Sequence, residues 1–561
     1  MAEARALTRP RAVWESIKDF LAAHTVSSTG GLLFLLLVIF LLYPIIAVLT
    51  QSVSGPEGFT LEYYRKFLTR PWYYQSFSNT LLLGVLTTSV CLSAGFCIAY
   101  ITTRGPVRFR TPLKLIALLP LIAPPMIFGL VLIILLGNNG IITRALGLEW
   151  SIYGFTGPVI AQTLAFLPLA YLMIENTLSS LNPNLEDSAA NLGATEGKIL
   201  RSITIPLLAP GFLKAALIVF VMAVAEFGNV ALLCGRTPFL APDAYLMIIG
   251  MADFNLGSVM SVFLILPCAV IFIVQGYLIR GKAYTTIVGK PVAVEPRRIT
   301  PAILIPMLAV CFIVCILILV TFGVIGVGGF VQLVGIDNTF TLKHFLNMRA
   351  NQALITSLRV SLLAGLFGAL FGVLLAYVIM RGKFRGRAAL EGIGLAGFTL
   401  PGTVLGIGYV LAFKQPPLQL LGTMMILVLS CVFRFLAVGM EAGITKLQQL
   451  SIEVEEASLN LGASTATTFR RIVLPIIIHA VMYGFLYVFV TSMISLSAVV
   501  FLVSPTYQLA SVFLFQWALF GYFGLACGTA VKIVLIVGAC LAFLQYSSKW
   551  TGLSITAKGG A

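Results

Sequence analysis

The chain has 561 residues, of which 59% are hydrophobic and only 10% charged, with a formal net charge of +16. A soluble protein carries about 25% charged residues, so ions this sparse cannot clothe a soluble surface of this size. Lipid is the solvent for most of the chain, which excludes soluble enzymes, disordered segments and collagen-like repeats.

A spanning helix needs about 20 apolar residues. Twelve stretches qualify, at approximately 31–51, 80–101, 113–136, 157–178, 207–229, 257–280, 300–326, 356–380, 389–412, 420–443, 475–500 and 522–545. A β-barrel would instead read as short alternating segments. Residues 31–50 are too long, and begin too late, for a cleaved signal peptide, and are read as a retained span. The expected fold is an all-α membrane protein of about twelve transmembrane helices.

With both ends on one face, 25 of the 36 Lys and Arg residues fall on that face, including Arg5, Arg9, Arg11, Arg104, Arg108, Arg110, Arg280, Lys282, Arg297, Arg298, Arg381, Lys383, Arg385, Arg387, Arg470 and Arg471. Eight fall on the other, among them Arg65, Lys66, Arg144 and Arg236, and Arg359, Arg434 and Lys532 lie within or at the edge of spans. Basic loops stay in the cytoplasm, so both termini are expected there. Topology accounts for the charge, and no nucleic-acid partner is expected. Most of the nine cysteines sit inside spans and read as small apolar residues; His24, His344 and His479 are far apart in sequence, and no metal site is expected.

The chain is written twice. Residues 186–206 (EDSAANLGATEGKILRSITIP) align without a gap on 455–475 (EEASLNLGASTATTFRRIVLP) at an offset of 269. At an offset of 277, AYITTRG (99–105) matches AYVIMRG (376–382), Pro124 matches Pro401 and Gly129 matches Gly406. The eight-residue difference falls in the outer loop between the third and fourth spans of each half. A basic, proline-bearing stretch at 281–299 joins the copies. The expected division is a cytoplasmic tail at 1–30, a six-span repeat at 31–290 and a second at 291–561. An even number of spans per copy makes the repeats parallel, a symmetry that suits a pathway between two bundles.

The repeated polar segments follow the fourth span of each half. Asn182 or Asn184 is placed to cap a helix whose first turn holds Glu186 and Asp187, where the dipole favours acids. Ala189, Ala190 and Leu192 continue it, Gly193 permits a left-handed turn, a second short helix is expected from Thr195 through Arg201, and Pro206 would open the fifth span. Glu455, Glu456, Ala457, Gly462, Arg470 and Pro475 repeat the pattern. A structured loop closing a bundle is the bland reading. Two copies in one register favour a pair of docking elements for a cytoplasmic motor. Residues 193–199 (GATEGKI) imitate a phosphate-binding loop, but have three residues between the glycines and Ile199 in place of the magnesium-binding Ser or Thr.

These segments resemble the "EAA" loop of binding-protein-dependent ABC import permeases: Glu-Ala-Ala, then Gly, then Ile-x-Leu-Pro. The first copy has Glu186-Asp187-Ser188-Ala189 and Ile205-Pro206; the second has Glu455-Glu456-Ala457 followed by Ser458. The resemblance covers nearly the whole chain, and the fused double permease is similar to ferric-iron-type permeases, a group that includes thiamine and 2-aminoethylphosphonate permeases. It implies a type I importer fold in the bacterial inner membrane, no cofactor on this chain, ATP and Mg on two separate ATP-binding subunits seated on the two loops, and a periplasmic substrate-binding protein. Ferric iron is the leading cargo; 2-aminoethylphosphonate, thiamine or another small organic solute is the alternative.

Charges at bilayer depth cost about 2.5–3.5 kcal/mol on insertion scales and face protein or water. Glu226, in AEFGN, is a pathway candidate by the same resemblance, with Ser495 as its counterpart in the second copy. Pro124 and Pro401 interrupt equivalent spans and are candidates for lining or gating the route. Arg434, Glu441 and Lys532 are read as structural. An ion-coupled secondary transporter is the competing class, but does not need duplicated docking loops. A membrane-embedded enzyme lacks a nucleophile with an accompanying histidine or carboxylate cluster.

Overall fold

A computed structural model describes residues 28–280, 299–382 and 386–550. Most of the N-terminal tail, nearly all of the linker, and Arg5, Arg9, Arg11, His24, Lys282, Arg297, Arg298, Lys383 and Arg385 lie outside the described residues. Within them, ten helices are long and apolar enough to cross a membrane, and two bent pairs raise the number to twelve. Two short antiparallel hairpins, pairing Ser54–Gly55 with Gly58–Phe59 and Val331–Leu333 with Asp337–Phe340, directly follow the first span of each half.

Burial orders the spans from the centre outward. The fourth spans, Thr156–Ser180 and Met424–Gln448, are each 67% buried over their most apolar stretch. The first spans, Ser28–Ser52 and Pro301–Phe330, are 33% and 22% buried there and are the more hydrophobic, as lipid contact demands. In each half the second, fourth and fifth spans pack on one another.

The first spans cross over. Tyr43–Ser52 packs against Gly402–Phe413 of the second half, and Pro301–Phe330 packs against Pro71–Thr103 of the first. The Tyr409 hydroxyl donates to the Phe40 carbonyl at 2.7 Å, and the Phe40 ring stacks on Phe433 at 5.0 Å. A Cβ on Gly408 would sit 2.6 Å from the Pro44 carbonyl oxygen, so this approach of backbone to backbone requires glycine. Each half thus holds the other by an exchanged arm.

One expectation is refined and one corrected. The third spans, expected at 113–136 and 389–412 with interruptions at Pro124 and Pro401, are fully broken at those prolines. The first runs as Arg110–Leu118, a tight turn at Leu119–Ile122, and Ile127–Leu136. The second runs as Arg387–Thr399 and Gly402–Phe413, bent by 109°. Ala123 and Leu400, each preceding a proline, are extended, as the proline ring demands of its neighbour. The fifth spans do not begin at Pro206 and Pro475 after a separate short helix. Glu196–Ala225 is one continuous run, and Thr465–Ile476 leads into Ile478–Ile494 through a 74° bend. A π-helical turn precedes each proline, Leu200–Thr204 and Phe469–Val473, and re-registers the ladder where the proline has no N–H to give.

Candidate functional site

The duplicated loops form two surface elements of one design. In the first, helix Asn184–Asn191 follows the fourth span, with the Asn182 side-chain oxygen accepting from the Asn184 N–H at 3.0 Å. In the second, helix Ile452–Asn460 starts at Ser451, whose hydroxyl accepts from the Glu453 N–H at 3.3 Å. Each helix ends at a left-handed glycine, Gly193 at φ +81° and Gly462 at φ +90°. The N–H groups of Gly193 and Ala194 return to the carbonyls of Ala190 and Ala189, and those of Gly462 and Ala463 to Leu459 and Ser458. The next helix begins at once and runs into the fifth span.

Both elements are fastened from beneath by a buried ion pair. Glu186 Oε2 accepts from Arg104 Nε at 3.1 Å, and Arg104 Nη2 also reaches the carbonyls of Leu178 and Leu181 at the end of the fourth span. In the second half, Glu455 Oε1 accepts from Arg381 Nε at 2.7 Å, and Arg381 Nη2 reaches the carbonyls of Leu447 and Leu450. Every residue of one set is the repeat counterpart of its match in the other. The remaining carboxylate oxygen of each glutamate is met differently. Glu186 accepts from the Thr204 hydroxyl at 2.7 Å, and Glu455 from the Tyr377 hydroxyl at 3.2 Å. The arginine therefore ties the ends of the second and fourth spans and the loop helix into one body.

Glu186 and Glu455, read from the sequence as acids of the helix first turn, do hold that position, but their side chains point inward. Their neighbours Asp187 and Glu456 are exposed, as are Ala457, Pro206 and Pro475, while Ala189 is half-buried. Leu192 and Leu461, just before the glycines, are 89% and 90% exposed. Leu185 and Val454 are exposed beside them. The outward face of each loop thus sets exposed apolar side chains, Leu185 and Leu192 or Val454 and Leu461, among polar ones, with Asp187 or Glu456 beside them. Following the chain through its spans puts both loops on one face of the molecule. Sequence reading missed the clamps Arg104 and Arg381; the signal was the repeated AYITTRG and AYVIMRG, whose arginines align.

A second feature lies between the halves. A cavity of about 170 Å³ is lined by Pro125, Met126, Phe166, Met222 and Glu226 from the first half and by Phe398, Arg434, Phe435, Tyr487, Thr491 and Ser495 from the second, with others. Glu226 and Ser495, repeat counterparts, are brought together here. The Pro124 break puts Pro125 and Met126 in the wall, and Gly402, after Pro401, lies where a Cβ would meet Arg434 and Ser497 at under 3 Å. Glu226 ends the fifth span and accepts from the N–H groups of Asn229, at 3.0 Å, and Val230, at 3.3 Å. Arg434, expected from sequence to pair helices, bonds the end of the fifth span, with Nη1 3.4 Å from the Ser495 hydroxyl, and also faces this chamber. Lys532 does tie helices together, donating to the Phe345 carbonyl and the Asn351 side chain. On the face opposite the loops, a larger cavity of about 500 Å³ forms where residues 137–153 meet 332–344 and 521–525. Arg144 bridges the halves there, donating to the Gly335 carbonyl at 3.1 Å.

Two helical halves with exchanged arms, a chamber on their junction and twin elements on one face define a two-bundle membrane transport protein. Residues 92–284 and 368–547 each match the family described as "Binding-protein-dependent transport system inner membrane component". The chain belongs to that family: it is a multi-pass inner-membrane permease of an ABC importer, with both permease units fused. It is 30% identical over 533 residues to the ferric transport system permease protein FbpB of Actinobacillus pleuropneumoniae, covering 92% of this chain and 78% of that one. It is also 30% identical over 484 residues to a putative ferric transport system permease protein of Haemophilus influenzae, covering 84% and 77%. A bacterial ABC transporter structure involved in alginate import aligns with 48% of this chain and 99% of its own, at 18% identity and a TM-score of 0.40.

Proposed function

We propose that this chain is the membrane pathway of an ATP-driven importer of ferric iron, worked by two ATP-binding subunits that hold the ATP and Mg. Each subunit seats one loop, 182–206 or 451–475, around its exposed leucine. A periplasmic binding protein delivers solute to the opposite face, where the larger cavity opens between the halves. Both termini are then cytoplasmic, and 31–290 and 291–561 are the two repeats that rock against each other. The observation that carries this reading is the pair of leucines, Leu192 and Leu461, held almost fully exposed at the same point of two clamped loops. A single exposed leucine is ordinary; two at repeat-equivalent tips suit two equal partners.

The mechanics follow from the clamps. ATP can shift the permease between states only through contacts that differ between those states. A loop on a soft hinge would absorb the subunits' closing movement. Arg104 and Arg381 instead join each loop to its second and fourth spans, so displacement of the loop moves the bundle. The broken third spans lie beside the chamber, where bundle rotation opens or shuts the route past Glu226 and Ser495. Iron as cargo is supported by the similarity to ferric permeases across most of the chain.

The test is co-expression with the ATPase and binding protein encoded beside it. The complex should co-purify, hydrolyse ATP and drive labelled ferric iron into proteoliposomes. Bulky replacements at Gly193 and Gly462 should dissociate it. Survival of the complex and its ATP hydrolysis through both changes defeats the docking assignment. Uptake of thiamine or 2-aminoethylphosphonate without iron replaces the cargo, and uptake with no nucleotide consumed ends the ATP-driven reading.

A further inference from the structure

The two charges in the inter-half chamber are not equally committed. Glu226 spends both carboxylate oxygens on backbone N–H groups at the start of the helix that follows it. Arg434 makes one side-chain hydrogen bond, at the long distance of 3.4 Å, and lies over the Phe435 ring at 5.0 Å; among the described residues no carboxylate lies within ion-pair distance of it. Its guanidinium is wedged against Gly402 at the break of the third span, so it cannot simply fold away. A guanidinium is charged at neutral pH, and at membrane depth its charge needs water or an anion.

The repeat adds an independent observation. At the offset of 269, Arg434 corresponds to Ala165 and Glu226 to Ser495. Each half therefore contributes one charge that the other lacks, while the aromatic walls Phe166 and Phe435 are retained in both. Ser495, which accepts from the guanidinium, adds a hydroxyl beside it, while the Thr491 hydroxyl donates to the Tyr487 carbonyl of its own helix at 2.6 Å; the first half has Met222 and the already bonded Glu226 at these positions. The second-half wall thus presents a guanidinium with no carboxylate partner beside the Ser495 hydroxyl, and the first-half wall presents apolar side chains and the Glu226 carboxylate, whose oxygens are held by backbone N–H groups.

We infer that this chamber is a binding site for anionic oxygen groups, with Arg434 as the residue that contacts them. Its ligand is an oxyanion, a carboxylate or phosphonate, or a metal ion wrapped in such oxygens, and bare cations are disfavoured. This rests on the importer reading only for its transport consequence: a ferric cargo would cross clothed in oxygen ligands.

Binding is read on the purified full chain in detergent, with sulfate as the probe against chloride at equal ionic strength. Sulfate should raise the thermal unfolding midpoint of the wild type in a concentration-dependent way. Arg434→Gln should abolish the rise, Arg434→Lys should keep a weaker one, and Glu226→Gln, which takes the one carboxylate out of the chamber lining, should enlarge it. An equal rise in wild type and Arg434→Gln overturns the site, as does its loss in Glu226→Gln together with recovery in the charge-swapped Glu226→Arg/Arg434→Glu pair, which would make the two residues each other's partners. In the reconstituted complex, Arg434→Gln should cut uptake by about tenfold or more, the loss of one charged hydrogen bond, while binding-protein-stimulated ATP hydrolysis persists. Sulfate binding that depends on Arg434 in a protein showing no ATP-driven uptake keeps the site and removes the importer reading.

Discussion

The two loops and the chamber treat the same repeat in opposite ways. In the loops, ion pair, carbonyl clamps, left-handed glycine and exposed leucine recur at matching positions in both halves. In the chamber, matching positions carry Glu226 and Ser495, Arg434 and Ala165, Met222 and Thr491. Two like partners need two like seats, so departure from equality in either loop would unbalance the drive. One small solute on the junction has no two-fold symmetry to match, and unequal walls give it an orientation. On the importer reading proposed above, equality suits a surface that meets paired proteins, and inequality suits one that meets a single ligand.

The sharpest way to break that comparison is at the leucines. Leu192→Asp and Leu461→Asp remove side chains that contact almost nothing in the chain, so the fold should be unaffected. Each should weaken ATPase association by about 2 kcal/mol, the scale of an interface hot spot, and the double variant should abolish co-purification. Titration of the solubilised permease with ATPase subunit reads this directly. A strong effect at one leucine and none at the other would mean the two seats are not equivalent.

Next come the clamps. Arg104→Ala leaves Glu186 as a buried charge without its cation, and Arg381→Ala does the same to Glu455; each should destabilise its half by about 3–5 kcal/mol. Glu186→Gln and Glu455→Gln are gentler, keeping hydrogen-bonding capacity while removing the ion pair. These should leave ATP hydrolysis in place and lower solute moved per ATP. Unchanged transport per ATP would confine the clamps to stability and remove them from force transmission.

Much of this architecture is legible in the sequence because it is written locally. Runs of apolar residues mark spans, and Glu, Gly and Pro at fixed spacing mark the loops. Where two segments meet is less legible. The bond between Tyr409 and Phe40 joins residues 369 apart in the chain. In lipid, a helix face turned outward and one turned to protein are both apolar, so hydropathy does not reveal which first span packs on which half. Arg104 and Arg381 read as basic loop residues because composition records charge and not burial. Arg434 reads as a helix-pairing ion, and its place on the chamber is hidden for the same reason. The prolines announced a break in each third span, and only tertiary packing sets its angle.

A smaller effect separates the halves at the clamp itself. Thr204 has Val473 as its repeat counterpart, and the hydroxyl it supplies to Glu186 is replaced in the second half by that of Tyr377. Thr204→Val should cost about 1–3 kcal/mol by leaving a buried carboxylate oxygen short of a donor, and Tyr377→Phe a similar amount. Thermal unfolding of the two variants tests whether the different donors are equivalent. A silent Thr204→Val would show that the arginine suffices in the first half.

The smallest expected effect lies at the glycines. No atom lies within 4 Å of a Cβ built on Gly193, and both turns sit at positive φ. Alanine at 193 therefore meets no clash and suffers only the left-handed backbone, about 1–2 kcal/mol, as should alanine at the equivalent turn of Gly462. Asparagine tolerates that conformation and should recover much of the loss. If Gly193→Ala and Gly193→Asn weaken ATPase binding equally and leave stability unchanged, the glycine is needed because the partner's surface lies against it. If instead the two differ in stability in this order, its role is to turn the chain and bring Leu192 to the tip.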